Sequence, residues 1–236
     1  MSDIFRFKRF EIDQTGCAMK INTDGVLLGA MASADNPANM LDIGTGTGVI
    51  ALMLAQRFPD TRVTAIEIDP GTAQTACKNF NASIFANRIS CFGVALEAFE
   101  PTTPYDLIVS NPPYFLQSLT NPDERKRTAR HTDIVFFDGM LARASTWLTP
   151  TGSLQLVLPP TVADQVVQRA ATEYGLVIQW EIAVYSFTDD DSPVRKILAL
   201  GREGETGIRS DFVIYEHRGR HSEAYRQLLR DFFIIF

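Results

Sequence analysis

An apolar run, Leu107-Ile108-Val109-Ser110, leads directly into Asn111-Pro112-Pro113-Tyr114-Phe115. Two consecutive prolines hold φ near about −65° and donate no hydrogen bonds, so the turn is stiff and its carbonyls stay available as acceptors. Asn111 adds a side-chain oxygen and Tyr114 an aromatic face. The exocyclic amine of a nucleobase, or a side-chain amide, offers two N–H donors in one plane. Asn111 Oδ1 and the Pro112 carbonyl would take both while Tyr114 stacks on the ring or amide plane. Such a grip turns the nitrogen lone pair towards an electrophile. Asn111, Pro112, Pro113 and Tyr114 are therefore the candidate catalytic residues, although a plain strand-terminating turn uses the same residue types.

A second segment suggests the electrophile. Met40-Leu41-Asp42-Ile43 reads as a strand, Gly44-Thr45-Gly46-Thr47-Gly48 as a glycine turn, and Val49 to Ala55 as a helix. A dinucleotide fingerprint would need glycine at position 49, where Val49 stands, and would seat a pyrophosphate on the helix N-terminus. Asp42, just before the turn, would repel a pyrophosphate but could accept from an ammonium. Val63-Thr64-Ala65-Ile66-Glu67-Ile68-Asp69 reads as the next strand, and Glu67, nineteen positions after Gly48, can bind both hydroxyls of a ribose. Ribose and ammonium without phosphate describe S-adenosylmethionine. The candidate cofactor residues here are Asp42, Gly44, Thr45, Gly46, Gly48, Glu67 and Ile68, together with Asn111.

In order and spacing, LDIGTGTG, AIEID and DLIVSNPPYF resemble the class I S-adenosylmethionine-dependent amino-methyltransferases. Phe5-Arg6-Phe7-Lys8-Arg9-Phe10, the stretch from Cys17 to Ala30, and Ala129-Arg130-His131 extend the resemblance. Over nearly the whole chain it is similar to the bacterial valine-tRNA (adenine-37-N6)-methyltransferases. This resemblance implies methyl transfer to the N6 amine of an adenine in tRNA. It also implies that the N-terminal region closes over the cofactor, which makes Lys20 and Asp24 cofactor-side residues. One position departs from the wider pattern. The third strand, Ile89 to Leu96, ends in Val94 and Ala95, where many relatives carry an acid that reads the cofactor's adenine amine.

Other readings of Asn-Pro-Pro-Tyr stay open. The motif also occurs in methyltransferases of a glutamine amide in peptide release factors and in DNA adenine methylases. The release-factor enzymes carry an additional N-terminal helical domain, whereas only about 40 residues precede the first motif here. From a different class, a non-catalytic cofactor-binding RNA module could keep the same fold.

The elements that must position these residues alternate. Helical patterns lie near 48–57, 70–86, 133–148 and 161–174, with strands near 40, 63, 89, 106, 153, 178 and 195. Such alternation predicts an α/β fold with helices on both faces of a parallel sheet. Ile178–Tyr185 and Arg195–Gly201 are joined too briefly for a helical crossover, so they should pair antiparallel. With the resemblance, the expectation is a Rossmann-like class I methyltransferase: a seven-stranded, mostly parallel sheet with an antiparallel last strand. Residues 1–35 form a hairpin and helix extension to a catalytic core of 36–236, in one domain. In the extension, Phe5 to Ile12 reads as a strand, Gln14-Thr15-Gly16 as the turn and Met19-Lys20-Ile21 as the returning strand. Thr23 and Asp24 are expected to cap a helix from Gly25 to Ala32.

Composition narrows the partners. With 236 residues, 45% of them hydrophobic, the chain can bury one sizeable core. It shows no signal-peptide run and no apolar stretch of about 18 residues, so the expectation is a cytoplasmic protein away from the membrane, with no obligate protein partner evident. Cys17, Cys77 and Cys91 lack paired spacing and are expected to be core thiols. Asp189-Asp190-Asp191 and the pair His217 and His221 lack the further ligands a metal site needs. A net charge of −6 and a pI near 5.1 argue against coating nucleic acid by long-range attraction, so a local patch must hold RNA. Arg125, Lys126, Arg127, Arg130 and His131, directly after the Asn-Pro-Pro-Tyr turn, are the candidate contacts, with Arg6, Lys8 and Arg9 extending that surface.

Overall fold

The computed structural model describes residues 3–17, 19–112, 122–203 and 207–236, with backbone alone for 122–134. Pro113, Tyr114 and the side chains of Arg125, Lys126, Arg127, Arg130 and His131 lie outside that description.

The chain opens with a hairpin of β1 (Ile4–Arg6) and β2 (Glu11–Asp13), followed by α1 (Thr23–Met31). The hairpin turn therefore lies at 7–10; the turn expected at 14–16 also forms, Cys17 N donating to the Gln14 carbonyl at 3.1 Å, but Met19–Ile21 is no strand. Two phenylalanines decide this. Phe7 and Phe10 are both buried and their rings stack at 4.5 Å, while Phe7 N–H donates to the Phe10 carbonyl at 2.9 Å. Burying that ring pair makes the chain reverse into its hairpin ahead of the turn at Gly16. Around Thr15 an Asx turn adds to the backbone turn, Asp13 Oδ1 accepting from Thr15 N and Oγ1 at 2.9 and 2.6 Å. The cap of α1 also differs from expectation: Asn22 holds the N-cap position, its oxygen accepting from Gly25 N at 2.9 Å.

The main sheet is built from β3 (Asn39–Ile43), β4 (Arg62–Glu67), β5 (Ile89–Gly93), β6 (Tyr105–Ser110), β7 (Leu148–Leu158), β8 (Val177–Phe187), β9 (Arg195–Gly201), β10 (Ile208–His217) and β11 (Arg220–His221). Their spatial order is β11-β10-β8-β9-β7-β6-β3-β4-β5. Strand β9 runs antiparallel to both β7 and β8, as the short connection requires. Among the described residues the sheet has nine strands where seven were expected. Strand β10 adds in parallel to β8, and β11 folds back on it. The apolar side chains of Phe212 and Ile214 on β10 then pack against the same core as the rest of the sheet.

Alternate strand residues face opposite sides. Met40, Leu107 and Val109 join one core with α1, α2 (Val49–Arg57), α3 (Pro70–Ala82) and α6 (Glu223–Leu229). Leu41, Ile108 and Leu156 join the other with α4 (Pro122–Trp147) and α5 (Pro160–Glu173). This two-sided burial is why the central strands read as continuous apolar runs. Cys77 of α3 and Cys91 of β5 form a disulfide, with Cα atoms 5.6 Å apart, because α3 lies against β5. Cys17 alone is the buried free thiol that was expected of all three.

Candidate active site at the strand ends

The register brings the three motifs together. Ile43 of β3 pairs with Ile66 of β4 on one side and with Ser110 of β6 on the other. Gly44, Glu67 and Asn111 are thus the next residues along three adjacent strands, which lie about 4.8 Å apart, and all emerge at the carboxyl edge. Between β3 and β6 the sheet order reverses, the place where open α/β sheets form a binding crevice. Ser110 fixes the spacing there, its buried hydroxyl donating to the Ile43 carbonyl at 2.8 Å.

The glycine turn is drawn over β4. Gly44 N and Thr45 N both donate to the Ile66 carbonyl, at 2.9 and 3.0 Å. Glu67 holds the far side: Oε2 accepts from Gly46 N and Oε1 from Asp69 N, each at 3.0 Å. A carboxylate offers about four lone-pair sites, so both oxygens can accept further. Gly44 and Gly46 have φ of 68° and 58°, and a Cβ on either would meet nothing within 4 Å, so the space above the turn is open. Gly48 is required for a different reason. Its φ is 92°, and a Cβ there would stand 2.4 Å from Phe80.

Asp42 is completely buried beneath this turn. Its Oδ2 accepts from Thr45 Oγ1 at 2.7 Å and from Ala51 N at 3.2 Å, while Oδ1 has no partner among the described residues. Burial pushes its carboxyl up to about 7, the Thr45 and Ala51 hydrogen bonds pulling partly against that rise. A buried acceptor lacking a donor, beside an open glycine turn and a ribose-spaced carboxylate, fits a methyl donor that ends in an ammonium. Ile68, directly after Glu67, is 69% exposed, an apolar side chain held open next to the turn. Val94 and Ala95 follow Gly93, which pairs with Glu67, and both are half-buried.

On the other side of the turn, Asn111 Nδ2 donates to Asn22 Oδ1 at 3.3 Å. Pro112 is buried. The two N-terminal residues expected near the cofactor engage protein partners: Lys20 pairs with Asp3 at 2.8 Å and Asp24 with Arg195 of β9 at 2.7 Å. The basic run 125–131 lies in the first turns of α4. Asn22, Ser110 and Asn79 went unnoticed in the sequence. Asn79 of α3 donates to the Asp13 and Thr47 carbonyls at 2.9 Å and accepts from Asp13 N at 2.9 Å, linking hairpin and glycine turn. Only Asn22 carried a local signal, an asparagine three residues before Gly25 at a helix start. Among the described residues, no group of three His, Cys, Asp or Glu could hold a metal ion.

Residues 21–170 match the family model described as the methyltransferase small domain. The chain is 48% identical to a tRNA1(Val) (adenine(37)-N6)-methyltransferase of Pedobacter heparinus, with 100% of each chain covered. It is 39% identical to the protein of that name from Aeromonas hydrophila, covering 98% of this chain and 97% of the relative. Its fold is similar to the crystal structure of a predicted O-methyltransferase from Agrobacterium tumefaciens, with a TM-score of 0.68 at 16% identity, over 89% of this chain and 96% of that one.

Proposed function

Since this chain belongs to the methyltransferase small-domain family, and within it to the bacterial tRNA1(Val) (adenine(37)-N6)-methyltransferases, we propose that it methylates N6 of adenine 37 in that tRNA, with S-adenosylmethionine as donor. The observation that carries the reading is the row Gly44, Glu67 and Asn111 at adjacent strand ends, which would set a donor site beside an acceptor site. When bound, S-adenosylmethionine supplies an electrophilic methyl group on a sulfonium. Glu67 would hold its ribose, Asp42 and the glycine turn its amino-acid end, and Ile68 its apolar ring face.

The exocyclic amine of adenine is a weak nucleophile because its lone pair is delocalised into the ring. Asn111 Oδ1 and the Pro112 carbonyl accept its two N–H groups and so favour the tetrahedral nitrogen of the transition state. With both hydrogens on acceptors, the proton leaves after the nitrogen has become cationic, and no side chain has to remove it beforehand. The adenine must leave its stack to reach these acceptors, and Tyr114 would receive its ring. The basic run of α4 would hold the tRNA backbone beside them.

Nucleoside mass spectrometry on tRNA from a strain lacking the chain tests this. N6-methyladenosine should vanish from tRNA1(Val) and return when purified protein and S-adenosylmethionine are added. Unchanged tRNA, with a protein glutamine methylated in extract instead, would transfer the same chemistry to a side-chain amide.

A further inference from the structure

A carboxamide has two ends of similar shape and opposite polarity, and only its oxygen can accept from an amine. Rotated by half a turn, Asn111 would present N–H groups to the N–H groups of its substrate. Something must therefore set its orientation before the base arrives. On this structure we propose that Asn22 is a positioning residue for methyl transfer, fixing the polarity of the Asn111 carboxamide. The proposal rests on the role assigned to Asn111 above.

A hydrogen-bond chain with one allowed direction supports it. Gly25 N is a backbone donor and nothing else, so the atom it meets at 2.9 Å must be the Asn22 oxygen. That oxygen is an acceptor, so the end of Asn111 lying 3.3 Å from it must be the Nδ2 amide. With nitrogen turned to Asn22, the Asn111 oxygen lies on the opposite side of its own Cγ. A backbone amide thus dictates, through two side chains, which end of Asn111 takes up the substrate. The same Asn22 oxygen caps α1, so the helix start and the acceptor grip share one atom.

Asn22→Ser separates the two duties. Serine is as good an N-cap but is too short to carry the second bond to Asn111. The variant should keep its melting temperature and its affinity for S-adenosylmethionine. Its single-turnover rate on an unmodified tRNA1(Val) transcript should fall roughly 10- to 100-fold, the scale of a misplaced catalytic contact. Asn22→Asp, which retains an acceptor on both bonds, should recover most of that loss. The decisive measurement is a double-mutant cycle with Asn111→Ala. Once the carboxamide is gone there is nothing to orient, so adding Asn22→Ser should cost no further rate. Additive losses, or a serine variant that turns over normally while Asn111→Ala is impaired, would overturn the positioning role and leave the function intact. If Asn111→Ala itself keeps its turnover, the reading of Asn111 fails first.

Discussion

At the scale of single residues, the site consists of backbone donors and a few acceptors whose exposures differ. Glu67 is half-buried at a strand end and already receives two backbone N–H groups. Replacing it by alanine should weaken S-adenosylmethionine binding in calorimetry with little change in unfolding temperature; an unchanged affinity would remove it from the ribose site. Asp42 is the opposite case, fully buried with one oxygen lacking a partner. Its carboxyl, raised from 3.8 to about 7 chiefly by burial, holds a proton in the folded chain that the unfolded chain releases. Its contribution to stability is therefore complete below pH 3.8 and is lost as pH rises through about 7. A cationic ammonium seated over the glycine turn above Asp42 favours the ionised form, so donor binding should expel that proton. Titration near pH 6.5 in buffers of different ionisation enthalpy should reveal the release, and Asp42→Asn should lack it. Both residues were legible in the sequence because their motif spacing is local. The row that aligns them was not, since it depends on sheet register and on Ser110.

At the scale of elements, helices α1 to α5 and the reversed strand were readable, because apolar periodicity and connection length are properties of short segments. The hairpin was misread, since what fixes its turn is the burial of Phe7 and Phe10 against distant parts of the chain. Strands β10 and β11 and helix α6 were also missed, their burial being set by the sheet edge they extend. Asn79 is the clearest element-scale joint. Its side chain, 5% exposed, serves β2, the glycine turn and α3 at once. Asn79→Ala should cost about 1–3 kcal/mol by leaving buried backbone groups unpaired, measured by urea unfolding. Asn79→Asp should be at least as damaging, because it sets a second acceptor against the Asp13 and Thr47 carbonyls. A variant as stable as the parent would mean that water fills the joint at no cost.

For the whole molecule, charge and connectivity matter. The basic hairpin expected to meet RNA is largely engaged elsewhere. Arg6 pairs with Glu11 at 2.8 Å, Lys8 Nζ donates to the Arg230 and Phe236 carbonyls at 2.5 and 2.8 Å, and Arg9 lies over the Phe85 ring. The run in α4 is then the main concentration of positive charge for a backbone to meet. Neutralising Arg127 and Arg130 should weaken tRNA binding and reduce the slope of log K against log salt by about 2, leaving donor affinity alone. An unchanged slope would place the RNA on another face. The partners of Lys8 lie 222 and 228 positions away, and Phe7 bridges to Phe233. The hairpin these contacts tether has two strands of three residues each, so few backbone hydrogen bonds resist its opening compared with the main sheet. The segment they tether runs on to Asn22 and α1, which touch Asn111. Inactivation should therefore be a local event: as urea rises, turnover should disappear at a lower concentration than the circular dichroism of the sheet, and coincident midpoints would show that hairpin and core open as one unit.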